Sequence, residues 1–152
     1  MSDAIYIGRP VSRVRALLRQ PEDRSFFALG EGVVHADAPP GVICSAPYVQ
    51  LGKEFWAALQ YEIYELLCDR KSKQPKEWAT EIIEGDVRDL SVGIFTLLMA
   101  HFEVTLAIAV PATALIVRKR LVRLCLTKPK RPKKSVRQIM AGWKRNWSKH
   151  GR

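Results

Sequence analysis

From Ser91 to Val117 run twenty-seven residues whose only ionisable members are His101 and Glu103, and the chain then turns at once to Arg118-Lys119-Arg120. A helix without a polar face has no side to give to water, so this stretch must be buried either in lipid or in protein. Helical throughout, at roughly 1.5 Å per residue it would reach about 40 Å, more than the ~30 Å hydrocarbon core of a bilayer. Against an uninterrupted span stands His101-Phe102-Glu103 near its middle, because an ionised carboxylate at mid-bilayer costs on the order of 2.5 to 3.5 kcal/mol. A break there divides the stretch into Asp89 to His101 and Val104 to Val117, two apolar helices of a folded-back hairpin, each too short to cross a bilayer alone. Pro111 marks a kink or a helix start. Phe95, Leu97, Leu98, His101, Glu103 and Pro111 are the residues expected to insert into a membrane or a core.

The charge is as unevenly placed as the apolarity. Residues 1–90 carry 11 bases against 14 acids, a net of −3, whereas from Ser91 onward 14 bases face Glu103 alone, a net of +13. Every one of those bases lies at or after Arg118. Arg118 to Leu126 reads as a helical continuation, and Lys128-Pro129-Lys130-Arg131-Pro132-Lys133-Lys134 as a solvated basic arm. Val136, Ile139, Met140, Trp143 and Trp147 then recur at helical spacing, with Arg137, Lys144, Arg145 and Lys149 opposite them. A basic amphipathic helix with two tryptophans fits a membrane interface, an acidic groove on a partner, or a phosphate backbone. The expected contacts of the tail are Arg118, Lys119, Arg120, Lys128, Lys130, Arg131, Lys133, Lys134, Arg137, Trp143, Lys144, Arg145 and Trp147.

With 152 residues and 47% hydrophobic content, the chain has material for one ordinary core plus tails. The fold class expected is mainly α: an amphipathic helix, an apolar helical hairpin or one long apolar helix, a small β-hairpin-like N-terminal portion, and a basic C-terminal helix. Residues 1–47 form the N-terminal region, in which Val11, Val14, Leu17 and Leu18 suggest a short helix closed by Pro21. Short apolar runs between Ser25 and Tyr48, separated by Gly and Pro, read as two or three small strands, with Gly30-Glu31-Gly32 as a turn. Residues 48–126 are the helical core: Tyr48 to Arg70 places Leu51, Phe55, Leu59, Ile63, Leu66 and Leu67 on one face, and Gly85-Asp86 supplies a stop and an N-cap before a helix from Val87. Residues 127–152 are the basic tail. Cys44, Cys68 and Cys125 are odd in number, widely separated and never spaced as CxxC, which predicts reduced thiols in a cytosolic setting rather than a disulfide framework or a zinc site. No apolar signal segment follows Met1.

The portion from Phe55 to Cys125 resembles a set of short bacterial proteins of uncharacterised function. The shared pattern is an amphipathic helix ending in an Ile-Tyr-Glu-Leu-Leu-Cys box, a charged spacer, an Ala/Val-rich apolar region with a proline, and a closing Cys. Here these are Ile63-Tyr64-Glu65-Leu66-Leu67-Cys68, Val104 to Val117 with Pro111, and Cys125. Where that set has small residues and a glycine, this chain has His101-Phe102-Glu103. The resemblance implies no catalytic residue and no site.

His101-Phe102-Glu103 matches the first half of a zinc-deaminase signature, but the Pro-Cys-x-x-Cys half is missing. His35-Ala36-Asp37 has no placed nucleophile beside it, and Glu62, Glu65 and Asp69 read as the solvated face of their helix. The expectation is therefore a non-enzymatic protein without cofactor, metal or catalytic residues. The preferred reading is a small membrane-associated protein at the cytoplasmic face, an anchor or a membrane-perturbing effector subunit, with an anionic membrane surface as partner. The alternative is a soluble helical subunit or adaptor of a larger protein assembly whose basic tail binds nucleic acid or an acidic protein surface. Both readings accommodate an oligomer.

Overall fold

The computed structural model describes residues 2–39, 41–42, 45–83 and 87–150. The chain is mainly helical, with 74% of it in helix. In order these are α1 (Ser2–Leu18), α2 (Glu22–His35), α3 (Tyr48–Leu67), a two-stranded antiparallel hairpin of β1 (Cys68–Asp69) and β2 (Gln74–Pro75), then α4 (Glu77–Ile83), α5 (Val87–Phe102), α6 (Leu106–Lys119), α7 (Leu121–Leu126) and α8 (Val136–His150). The hairpin pairs Cys68 with Pro75 and Asp69 with Gln74.

α6 is the innermost element. Its nine consecutive residues Ile108 to Ile116 are all buried, packed against α1, α2 and α5. A helix with no polar side needs neighbours all round, and three helices supply them. The one hydroxyl in that run, on Thr113, donates back to the Ala109 carbonyl at 2.7 Å and so is satisfied within its own helix. The apolar stretch is interrupted at Glu103-Val104-Thr105: Glu103 has φ +54, Val104 is buried, and Thr105 is extended ahead of α6.

α2 approaches two neighbouring helices closely, and it does so through glycine. A Cβ on Gly30 would lie 2.0 Å from the Tyr48 carbonyl oxygen, and one on Gly52 would lie 1.9 Å from that of Phe26, so α2 and α3 cross backbone to backbone. On its other side, a Cβ on Gly32 would meet the Ala107 oxygen at 2.6 Å. Pro111 has no N–H to offer that carbonyl four residues back. The oxygen released by the proline thus sits against the glycine of the next helix.

This geometry corrects the expectation of short strands between Ser25 and Tyr48. Ser25, Phe26, Leu29, Gly30, Val33 and Val34 are buried on a helix, and the glycines serve helix crossings rather than a turn. Val42 is exposed and outside any strand, while Ile43 and Cys44 lie outside the described residues, as do Gly85 and Asp86. The cysteine expectation is corrected too. Cys68, at the end of α3, and Cys125, on α7, form a disulfide across 57 residues with both side chains buried. Separation along the chain said nothing of this, because the pairing follows from α7 packing beside β2 and α3.

Gly52→Ala is expected to destabilise the fold by about 3 kcal/mol or more, since the added methyl meets a carbonyl that has no rotamer to escape into. Gly142→Ala on α8, where the space is open, should instead stabilise by about 0.5–1 kcal/mol. Urea unfolding of the two variants checks both signs. Reducing the disulfide should lower stability by about 2–4 kcal/mol, read as a shift of the same curve with and without dithiothreitol.

Candidate polyanion interface

The basic tail is held to the body at both ends of α8. At its start, Ser135 and Gln138 form a reciprocal capping box: the Gln138 N–H donates to Ser135 Oγ at 3.2 Å and the Ser135 N–H to Gln138 Oε1 at 2.9 Å. Val136 is fully buried. Glu62 of α3 faces this helix start, and burial pushes its carboxyl above the ordinary carboxylate range; the Val136 N–H and the Arg137 guanidinium favour the ionised form and partly offset that rise. At the far end, Trp147 is buried and its indole N–H donates to the Val34 carbonyl. The His35 ring stacks on Trp147 with centroids 6.2 Å apart, and His35 Nε2 is hydrogen-bonded to Tyr48 Oη at 2.9 Å. Ile139, Met140 and Trp143 pack against the core between these anchors.

With that face of α8 occupied, the other turns outward. Arg137, Lys144, Arg145 and Lys149 are exposed, and so are Lys128, Lys130, Arg131, Lys133 and Lys134 in the arm that leads into the helix. Among the described residues, the ion pairs are Lys53 with Asp23, Arg70 with Glu65, and Lys119 with Glu22. None of them uses a residue beyond Lys119. The chain has no acidic residue after Glu103, and Glu62, beside Arg137, comes to this face from α3. The surface is dominated by ammonium and guanidinium donors, suited to phosphate oxygens, with Glu62 of α3 lining a hollow beside Arg131 and Lys133 and Glu54 one beside Lys134.

The remaining site residues expected from sequence are dispersed. Phe95, Leu98 and Pro111 are buried and Leu97 half-buried, whereas His101 and Glu103 are exposed at the junction of α5 and α6. Arg118 serves the fold: its Nη2 donates to the carbonyls of Leu17, Leu18 and Gln20 at 3.0, 3.4 and 2.6 Å, satisfying the C-terminal end of α1. Lys119 reaches Glu22 at the start of α2 at 3.4 Å. Arg120 is exposed between α6 and α7. Sequence reasoning missed Val34, His35 and Glu62 as the seats of α8. The Ser-x-x-Gln spacing was a readable signal for where that helix begins, but nothing local marks Glu62 as its neighbour.

No protein-family model matches the chain, and no curated protein or solved structure matches it. Among the described residues, no helix is long and apolar enough to cross a membrane.

Glu62 gives the docking of α8 a pH signature. Between the ordinary value of 4.5 and the raised folded value, the native state holds this proton more firmly than the unfolded chain does. The group therefore makes stability fall as pH rises through that window. Glu62→Gln should remove the fall, so the variant gains on the parent between pH 4.5 and pH 7 in urea midpoints. An unchanged difference between the two pH values would show that burial does not act on this carboxyl.

Proposed function

We propose that this chain is a non-enzymatic nucleic-acid-binding module, a helical subunit that grips the phosphate backbone with the arm Lys128 to Lys134 and the outer face of α8. The observation that carries this reading is the division of α8: Val136 and Trp147 are buried in the body, so Arg137, Lys144, Arg145 and Lys149 face outward on a rigid helix. Cations gathered on one side release condensed counterions when they meet a polyphosphate, and that release supplies affinity without reading base sequence. The arm adds five exposed cations to the four that the helix spaces.

The membrane-associated reading draws less support. Trp147, expected at an interface, is turned into the protein, and Ile108 to Ile116 are packed against α1, α2 and α5. Entering lipid would require those contacts to be given up.

Fluorescence anisotropy with a short duplex DNA and a single-stranded RNA, read over a salt series, tests the proposal. Affinity should fall steeply with salt, at a slope near 0.9 per phosphate neutralised on duplex DNA. Replacing Lys128, Lys130, Arg131, Lys133 and Lys134 by Gln should flatten the slope on duplex DNA by about 4.5 and weaken all sequences alike. An unchanged slope, or tighter binding to phosphatidylserine vesicles than to either nucleic acid, would overturn it.

A further inference from the structure

A cleft opens where α5, α6 and α7 meet. Its ≈ 440 Å³ are lined by Leu90 of α5, Ile116 and Val117 of α6, Leu121 and Val122 of α7, and the two arginines Arg120 and Arg123. Its walls are apolar apart from those arginines, and no acidic side chain lines it among the described residues. Arg120, at the N-cap of α7, and Arg123, within α7, both line this cleft. Both are exposed, and neither side chain has a hydrogen bond or ion pair among the described residues. Val122 stands 41% exposed at the same mouth, a large apolar side chain left facing water.

Arg120 also holds an unusual backbone, with φ +62 and ψ 123. Glycine would adopt that conformation with far less strain.

We propose that this cleft binds a single-chain amphiphilic carboxylate, with the head between the Arg120 and Arg123 guanidiniums and the alkyl chain along Leu90, Val117 and Leu121. Guanidinium pairs hold carboxylates bidentately, and apolar walls carrying a few convergent polar groups are how proteins hold small ligands. The cleft lies toward the small end of the range for such sites, which suits one chain rather than two. This inference is independent of the nucleic-acid reading, which uses the cations from Lys128 onward.

Isothermal titration calorimetry with decanoate tests it, with decyl maltoside as the uncharged amphiphile and acetate as the head without a tail. Decanoate should bind saturably with one ligand per chain, and neither control should match it. The double variant Arg120→Gly, Arg123→Gln removes both guanidiniums while relieving the strained backbone, so it should fold and lose at least tenfold in affinity. Val122→Asp, on an exposed position, places a like charge at the mouth and should also lose at least tenfold, with thermal unfolding confirming that both variants are folded. Absence of saturable decanoate binding, equal binding of decyl maltoside, or full affinity in both folded variants would overturn the proposal.

Discussion

The rest of the structure depends on how closely α2 approaches two other helices at once. Gly30 and Gly32 are two residues apart, which on a helix turns them about 200° from one another. One glycine therefore admits α3 and the other admits α6, and α2 becomes the layer between them. Neither approach leaves space for a Cβ. The carbonyl left without a donor by Pro111 sits at one of the two crossings, so a helix irregularity on α6 and a missing side chain on α2 fit together. Val33 and Leu29 are buried on the same helix, adding apolar contact around the glycine crossings.

The cluster Arg118-Lys119-Arg120 shows how one short run of identical charge is divided by tertiary placement. Arg118 closes the end of α1 with three carbonyl contacts, which also sets a positive charge where the helix dipole favours it. Lys119 meets the acidic first turn of α2. Arg120 alone of the three turns out to solvent, on a backbone that departs from the helix. Two of these residues therefore hold the N-terminal helices to α6, and the surface charge that remains for a partner begins at Arg120.

Much of the helical content was legible because apolar residues recur at three- and four-residue spacing in α1, α3 and α8, and because Pro21 and the Lys128 to Lys134 run interrupt it. The reading failed at α2. Phe26-Phe27 and Val33-Val34 are β-favouring doublets on either side of Gly30-Glu31-Gly32, and local preference pointed to strands. Burial on both sides of the segment overrides that preference, and the glycines that looked like punctuation are points of close helix contact. The two-residue strands that do form are Cys68–Asp69, inside the segment read as the end of the Tyr48 to Arg70 helix, and Gln74–Pro75 beyond it.

What the sequence by itself determined is the partition of properties along the chain: an uncharged stretch that must be buried, an acid-free basic tail after it, and an amphipathic period in Val136 to Trp147. These follow from composition and periodicity, which are local. Tertiary structure alone decided that the second half of the uncharged stretch, α6, is covered by α1, α2 and α5, that Cys68 meets Cys125, and that Trp147 reaches the Val34 carbonyl. Each of those joins residues far apart in sequence, and their pairing is set by which helix faces can approach closely enough to exclude water. Spacing along a chain carries no record of that.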